Sequence, residues 1–215
     1  MEIASPRLPE DSVSIADPAL LAGSEEVAGA VFRGAFFAGL SREHFSVEHT
    51  IFAACRFSGV RLHQVHFSDV LFRSCDFSNA DLRGCSFQRV QFFDCKFTGA
   101  DFSEGVFGFV SFSRCQGEFA GFAAARFRRA RFEECILRCA VLSDCRFEQT
   151  VFSACDFTLA EFFGSRLSGI SLADCEIRGA RFQEVGSFEL RGARISRAQA
   201  LDLVRLLGVE FEDET

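Results

Sequence analysis

Cysteine is the residue type in this chain with the clearest capacity for chemistry, because the sequence contains 10 of them. Thiolates act as nucleophiles and bind zinc, and paired thiols form disulfides. A zinc site needs converging ligands such as a Cys-x-x-Cys pair, and the sequence has none. Seven cysteines instead recur at every twentieth position, as Cys55, Cys75, Cys95, Cys115, Cys135, Cys155 and Cys175. This spacing favours a repeated structural position in a core, and Cys139 falls outside the frame as an outward-facing thiol.

Histidine and serine offer few further candidates for chemistry. His63 and His66 are close in sequence, but we expect them on adjacent sides and pointing outward, which makes a poor metal pair. The serines fill turn positions, and no base is placed to activate one as a nucleophile. No glycine-rich loop of the kind that cradles phosphate is present. The sequence therefore predicts no catalytic residue, no metal site and no cofactor.

A period of five runs through most of the chain. Every fifth residue from Phe52 to Phe182 is Phe, Leu or Ile, except at Gly117. Two residues before most of these positions lies a small or β-branched residue, as at Cys55 and Val60. Side chains two apart point to the same side of a strand. Each five-residue unit therefore points two side chains inward and three outward.

A second, longer period lies on top of the first, and it spans four of the five-residue units. Cysteines recur at every twentieth position, and so do the small residues of the next unit, from Val60 through Ala80 to Ala180. Positions that are 20 residues apart therefore share an environment, which predicts that one circuit has four sides of five residues each. Successive circuits then stack so that residues of the same type lie on one another. The pattern predicts an all-β solenoid, a quadrilateral β-helix, over residues 27–195.

Composition and charge agree with a repeated core and narrow the classes of function. The chain has 29 Phe and neither Trp nor Tyr. Residues 50–190 carry 17 acidic and 16 basic side chains, and this near-neutral body disfavours direct nucleic-acid binding. No apolar run approaches the roughly 20 residues that span a bilayer, and the first residues do not resemble a signal peptide. We therefore expect a cytoplasmic protein with no membrane contact.

The segments outside the regular frame are predicted to differ in structure from the body. Residues 1–26 hold two acidic runs and all three prolines, and we expect an acidic, flexible arm. Residues 209–215 form an acidic tail. Over residues 38–49 the frame places Arg42 at an inward position, which predicts a loop or a distorted circuit.

The C-terminal segment predicts a helix that caps the rod. After Phe182 the frame slips by three residues. Ser196 and Gln199 form a capping-box start, and Gly208 is a stop signal, which predicts a helix over residues 196–208. Its apolar stripe is too broad for packing on the end of the rod alone, which favours an isologous dimer, with a cap and no dimer as the alternative. The predicted dimer contacts are Leu201, Leu203, Val204, Leu206 and Leu207.

Outward charges differ between two adjacent sides. The units that begin at positions 60, 80, 100 and so on to 180 form one side, here named the acidic side. The predicted partner-binding residues on it are Asp81, Asp101, Glu104, Asp144, Glu161 and Glu184. The units that begin at positions 65, 85 and so on form the basic side, with Arg89, Arg126, Arg128, Arg129, Arg146 and Arg166. Ordinary solvated polar faces are the alternative interpretation of both sides.

The repeat resembles that of the pentapeptide-repeat family, whose signature is Ala-Asp/Asn-Leu-X-X. Residues 80–84, Ala-Asp-Leu-Arg-Gly, match it outright, and residues 100–104, Ala-Asp-Phe-Ser-Glu, match its Phe variant. The resemblance covers about residues 27–195. It implies that the four-sided β-helix is right-handed and that its interior is stacked.

A finer resemblance lies at the C-terminus. Residues 190–195, Leu-Arg-Gly-Ala-Arg-Ile, and residues 206–210, Leu-Leu-Gly-Val-Glu, look like the terminus of quinolone-resistance (Qnr-type) and topoisomerase-poison immunity proteins. This resemblance implies a non-enzymatic DNA mimic that dimerises through its C-terminal helix. Its partner would be DNA gyrase or topoisomerase IV, protected from an antibiotic poison. The unbroken frame over 50–185 lacks the two projecting loops of plasmid-borne Qnr proteins, so the immunity members are the closer analogy.

The alternative class of function is a structural scaffold. In that case the flat sides of the rod would bind some other protein partner. An enzyme, the third class, finds no support in the residues.

Overall fold

A computed structural model of the protein describes residues 3–9, 16–183 and 188–205 and shows a β-solenoid of parallel strands. The elements in chain order are α1 (Ala19–Gly23), β1 (Glu26–Ala28), β2 (Val31–Arg33), β3 (Ser41–Glu43), β4 (Ser46–Ala53), β5 (Arg61–His63), β6 (His66–Arg73), β7 (Ser86–Phe93), β8 (Val106–Gly108), β9 (Ser111–Ser113), β10 (Arg126–Arg128), β11 (Arg131–Glu133), β12 (Arg146–Glu148), β13 (Val151–Ser153) and α2 (Arg197–Arg205). Neither helix in the described part of the chain has the length and apolarity needed to cross a bilayer.

Parallel pairing joins each residue to the one four units later in the sequence. Between β4 and β6, Thr50 lies opposite Val70 and Phe52 lies opposite Phe72. The same offset is found near the other end, where β10 pairs with β12. One circuit therefore takes four units of five, and the predicted β-solenoid is confirmed.

The corners of each circuit are made by residues in the left-handed backbone region. Positive φ angles recur at five-residue intervals, for example 55° at Asp69, 53° at Ser74 and 54° at Asn79. Asp and Asn reach this region at lower cost than most side chains, because their short polar groups bond to the local backbone. Each such residue turns the chain at the end of a side, so four of them close a circuit.

The core consists of stacked side chains from successive circuits. On one side Phe32, Phe52, Phe72, Phe92 and Phe112 form a column in which neighbouring ring centroids are 5.0, 5.0, 5.0 and 4.9 Å apart. The planes of these neighbours differ by no more than 11°. Each buried Phe contributes about 2 kcal/mol through the apolar surface it removes from water, so these columns dominate the stability of the fold.

Gly117 interrupts the apolar frame in the sequence but does not interrupt the circuit. Its N–H donates to Ile136 O at 2.7 Å, as the corresponding residues of other circuits do. A Cβ at Gly117 would lie 2.9 Å from Leu137 Cδ2. Phe97, on the other neighbouring circuit, tilts 35° from Phe77, whereas Phe57 and Phe77 differ by 4°. Leu137 and Phe97 therefore occupy the space that a side chain at 117 would fill.

The N-terminal end of the rod differs from the sequence-based expectation. Of the two alternatives predicted for residues 38–49, a loop or a distorted circuit, the loop is wrong, because β3 and the first half of β4 lie there in the common register. Arg42 is at an inward position, and its Nη1 donates to Leu21 O at 2.9 Å and Ser24 O at 2.8 Å. Leu21 is buried in the core. The segment 16–25 thus closes the first circuit, instead of the flexible arm predicted there.

The predicted slip of three residues after Phe182 is also explained. In regular circuits an N–H bonds to the carbonyl just before its partner on the next circuit, as from Leu62 to Asp81 O. Leu167 N–H instead bonds to Glu189 O, and Leu172 N–H bonds to Arg194 O, both at 2.8 Å. The last circuit therefore stacks on its neighbour with three additional residues in the connection.

Helix α2 begins with the capping box that the sequence predicts. Ser196 N–H donates to Gln199 Oε1 at 2.7 Å, and Gln199 N–H donates to Ser196 Oγ at 3.2 Å. Gln199 Nε2 also donates to Leu172 O and Cys175 O at 2.8 and 2.7 Å. One side chain therefore starts the helix and satisfies two carbonyls at the end of the rod. Residues 206–208 of the predicted helix lie outside the described residues.

Candidate partner-binding surfaces

The first part of the acidic side is a group of stacked carboxylates with its own counter-charge. Asp81 and Asp101 are partners across neighbouring circuits. Arg83 Nη2 lies 2.8 Å from Asp81 Oδ2, and Arg83 Nε lies 3.8 Å from Asp101 Oδ2. His63 Nε2 lies 2.8 Å from Asp81 Oδ2. The hydrogen bond from Arg83 holds the pKa of Asp81 far below its ordinary value, so this carboxylate is ionised and partly neutralised.

The second part of the acidic side lies beyond an uncharged circuit. Residues 121–124, Gly-Phe-Ala-Ala, place no charge on this side. In the next two circuits, Asp144 lies against the backbone of Gly164, and Glu161 forms an ion pair with Arg181. These carboxylates therefore do not continue the first group.

The six acidic residues that the sequence predicts as one surface are thus divided. Asp81, Asp101 and Glu104 lie together on neighbouring circuits. Asp144 and Glu161 form a separate group. Glu184 lies outside the described residues.

The basic side concentrates its free charge in consecutive circuits. Arg126 lies opposite Arg146, and Arg128 lies opposite Glu148. Arg129 Nε donates to Gln149 Oε1 at 2.8 Å. Within the described part of the chain, the arginines of this side with no ion pair are Arg126, Arg128, Arg129, Arg146 and Arg166. Glu148 is the acidic residue that lies among them, so this surface keeps an excess of positive charge.

Arg89, also predicted on the basic side, is instead part of an ion pair with a buried carboxylate, Asp69. Its Nη2 and Nε bond to Asp69 at 2.6 and 2.7 Å. Residues 3–9, here named the strap, complete the site, because Arg7 N–H donates to Asp69 Oδ1 at 2.9 Å. Asp69 is 2% exposed, and the hydrogen bond from Arg89 lowers its pKa. The period of five places Asp69 at an outward position, where periodicity alone predicts a solvent-exposed charge, so sequence reasoning missed this pair.

The strap lies on an apolar column that sequence reasoning also missed. Val31, Ile51 and Leu71 hold the same outward position on neighbouring circuits, and Val31 and Leu71 are buried there. Leu8 and Pro9 line a cavity of about 380 Å³ together with Ile51 and Leu71. The signal was present in the sequence as three apolar residues, one per circuit, at a position that elsewhere is mostly polar.

The predicted dimer contacts on α2 are only partly described. Leu201 is 51% exposed, and Leu203 and Val204 are half-buried. Leu206 and Leu207 lie outside the described residues. The helix therefore presents at least one large apolar side chain to solvent at the end of the rod.

The cysteines are placed as a core column. The residues that follow the seven cysteines are bridge partners in sequence from Arg56 through Asp76, Lys96, Gln116, Ile136 and Asp156 to Glu176. The cysteine thiols donate to backbone carbonyls, as Cys75 Sγ does to Phe52 O at 3.4 Å. Burial raises the pKa of Cys85 and of Cys145 to about 12. All ten cysteines are free, and nine are buried.

The two histidines singled out in the sequence are not brought together. His63 contacts Asp81, whereas His66 Nδ1 lies 2.6 Å from Ser86 Oγ. Among the residues that the structure describes, no three His, Cys, Asp or Glu side chains could hold a metal ion.

Comparison with known proteins places this architecture in a family. No curated protein matches the sequence. The fold is similar to that of HetL, a pentapeptide-repeat protein involved in heterocyst differentiation regulation from the cyanobacterium Nostoc sp. strain PCC 7120, with a TM-score of 0.60, 17% identity and coverage of 80% of this chain and 83% of that chain. For QnrB1, a plasmid-mediated fluoroquinolone resistance protein, the TM-score is 0.45 at 20% identity, with coverage of 87% of this chain and 90% of that chain. The family model for the pentapeptide repeat region matches residues 45–122 and 110–182, and the chain therefore belongs to the pentapeptide-repeat family.

Proposed function

We propose that this protein is a non-enzymatic DNA mimic that binds DNA gyrase or topoisomerase IV and protects the enzyme from an antibiotic poison. The observation that carries the proposal is the stacking of Asp81 and Asp101 on neighbouring circuits of a flat side. Circuits stack about 4.8 Å apart, and duplex DNA presents a charge about every 1.7 Å, or roughly three per circuit. The acidic side offers at most two carboxylates per circuit and none at residues 121–124, so the mimicry is confined to two short groups.

The ion pairs on the acidic side do not prevent such binding. Arg83 and Arg181 are 55% and 58% exposed. An exposed ion pair contributes about 1 kcal/mol or less. A basic surface on the topoisomerase could therefore replace either arginine as the partner of Asp81 or Glu161 at small cost.

The end of the rod supports a homodimer as part of this proposal. Leu201 is exposed on α2, which Gln199 fixes to the last circuits. Two rods joined end to end through α2 would double the length of the surface offered to a topoisomerase. A helix that caps the rod without a dimer is the alternative.

A gyrase assay tests the proposal directly. DNA gyrase, relaxed plasmid and a quinolone are incubated with increasing concentrations of the protein, and supercoiled and cleaved plasmid are measured. We expect less drug-induced cleavage with the protein and a weaker effect with the double variant Asp101→Lys/Glu161→Lys. A matched control, Glu118→Lys/Glu176→Lys, reverses two charges on another side and should act like the native chain. The absence of both protection and inhibition at micromolar protein would reject the proposal.

A scaffold for another protein partner is the second candidate function. The observation that favours it is the surplus of arginines without ion pairs on the basic side. In that case the gyrase assay shows no effect, and reversal of acidic-side charges changes nothing.

A further inference from the structure

The ladder of backbone hydrogen bonds is interrupted between the circuit that begins at residue 145 and the circuit that begins at residue 165, starting on the basic side. In the preceding pair of circuits, Arg146 N–H donates to Ala125 O at 2.9 Å, and β10 pairs with β12. Between the fully described segments 145–149 and 165–169, no backbone hydrogen bond is formed. At the start of the gap, Ser165 Oγ accepts from Cys145 N–H at 2.7 Å and donates to Leu142 O at 2.5 Å, so it bridges the turn bond that other circuits form directly.

The opening continues around the corner onto the following side. No backbone hydrogen bond joins the described segments 150–154 and 170–174. Asp174 ends the opening, because its Oδ2 accepts from Ala154 N–H at 3.3 Å and from Ser153 Oγ at 2.9 Å. We name this gap, from Ser165 to Asp174 against 145–154, the seam.

The seam has the features of a site for an extended peptide. Among the described strands, β12 pairs only with β10 and β13 only with β11, so the other edge of each strand faces the seam. Thr150 holds an inward position on the same circuit, and its buried Oγ1 has no hydrogen-bond partner among the described residues. Backbone and side-chain groups left without partners in a buried place favour a ligand that carries its own backbone donors and acceptors.

The solvent-accessible part of the seam favours an acidic ligand with an apolar side chain. A cleft of about 520 Å³ opens there, and Arg146 and Arg166 line it together with the half-buried Phe147. Arg126, Arg128 and Arg129 lie on the circuit before and add to the positive charge of the surface around the cleft. A ligand with carboxylates and an aromatic ring would therefore find both kinds of partner.

The acidic groups of the cleft balance the arginines that line it, but not those of the surrounding surface. Asp144 and Glu148 line the cleft and balance Arg146 and Arg166 in formal charge, so the excess of positive charge comes from Arg126, Arg128 and Arg129 on the circuit before. The buried Glu189 accepts from Gly164 N–H at 3.0 Å. Arg166 lies over the ring of Phe188 at 5.4 Å, and neither Arg146 nor Arg166 forms an ion pair among the described residues.

We propose that the seam binds an acidic peptide strand, and that its occupant is residues 209–215 of this chain. This segment reads Val-Glu-Phe-Glu-Asp-Glu-Thr, with four acidic side chains and one Phe, which complement Arg146, Arg166 and Phe147. Residues 206–215 extend up to about 35 Å. The seam lies two circuits, or about 10 Å, from the end of the rod that carries α2, so the tail can reach it. The proposal is independent of a topoisomerase partner.

NMR on the full-length, ¹⁵N-labelled protein tests this proposal. We expect heteronuclear NOE values for the amides of 209–215 close to those of the body, and protection of the Phe147 amide from hydrogen exchange. In Arg146→Glu/Arg166→Glu the tail should become mobile, and protection of Phe147 should fall by about tenfold. The matched control Arg56→Glu/Arg61→Glu changes the charge equally on other sides and should leave both readouts unchanged.

A second set of variants keeps the test decisive if the arginine variant fails to fold. Reversal of the tail alone, as Glu212→Lys/Asp213→Lys/Glu214→Lys, should release the tail, and combination with Arg146→Glu/Arg166→Glu should restore its order. A mobile tail in the native chain would overturn the proposal. Ordering that increases with protein concentration would also overturn it, since it would show docking on another molecule.

Discussion

At the scale of single residues, the contacts of a side chain follow from its position on the circuit and from what covers that position. Asp69 is an outward corner residue, yet Arg89 on the next circuit and Arg7 of the strap enclose it. Asp94 is also a corner residue with a positive φ angle, but its ion pair with Arg114 is exposed to solvent. The sequence shows that both are corner acids, but burial of Asp69 depends on a strap that lies outside the repeat frame. Such contacts could not be predicted from periodicity.

Asp69→Asn should lower the free energy of unfolding by about 2 kcal/mol, because it weakens hydrogen bonds to a charged group in a buried place. Urea unfolding followed by circular dichroism measures this. Asp94→Asn, the matched control, removes an exposed pair and should cost about 1 kcal/mol or less. Equal costs for both variants would show that the strap does not bury Asp69.

The stabilising effect of Asp69 should depend on pH in a defined direction. The pKa of this carboxyl is lower in the folded protein than in an unfolded chain. Its contribution is therefore complete above about pH 4 and is lost as the pH falls through the folded-state pKa. The difference in free energy of unfolding between the native chain and Asp69→Asn should shrink from pH 5 to pH 3. A difference that stays constant or grows over this range would contradict the assignment.

At the scale of elements, the repeat predicts the sides of the solenoid well and its ends poorly. The period of five specifies which residues point inward, and this holds even at Gly117 and Arg42. The loop predicted over residues 38–49 failed, because an inward arginine is unfavourable inside a core but acceptable at an open end with carbonyl acceptors. The capping box of α2 was readable because it is a local motif, whereas the strap and the seam depend on contacts between distant segments.

Gln199→Met should loosen α2 without unfolding the circuits. The substitution removes the side-chain bonds to Ser196, Leu172 and Cys175, at a cost of about 1 to 3 kcal/mol. Hydrogen exchange should show faster exchange in α2 and unchanged protection in β4, β6 and β7. Gln116→Met, an exposed position on the body, serves as the control and should change neither region. Loss of protection throughout the rod would show that α2 is not a separate cap.

Leu201→Glu should convert the proposed dimer to a monomer, because it places a charge in an apolar contact. Analytical ultracentrifugation of the native chain should give twice the chain mass of 23.9 kDa, and the variant should give the chain mass. Leu159→Glu changes an equally exposed leucine on the side of the rod and should remain dimeric. A native chain that is monomeric at tens of micromolar would remove the dimer from the proposal.

At the scale of the whole molecule, stability and function both follow from stacking along one axis. Each circuit buries its apolar side chains against its neighbours, so stability is close to a sum of circuit and interface contributions. The same stacking aligns the outward residues of successive circuits, which produces the acidic groups, the arginines of the basic side and the apolar column under the strap. The columns could be predicted from the sequence, but ion pairing within them could not, since it depends on how side chains reach between circuits.

Removal of one whole circuit tests this account most directly. Deletion of residues 91–110 joins Val90 to Ser111 and keeps every later residue in its column, because Gln91 and Ser111 are partners. The shortened protein should unfold cooperatively, and small-angle scattering should give a rod shorter by about 4.8 Å. Deletion of residues 91–107 leaves three additional residues before Ser111, a connection that the fold accepts only at its end, and should lower the free energy of unfolding relative to the 20-residue deletion. If both deletions fold equally well or both fail, one circuit of four stacked sides is not the unit that holds this protein together.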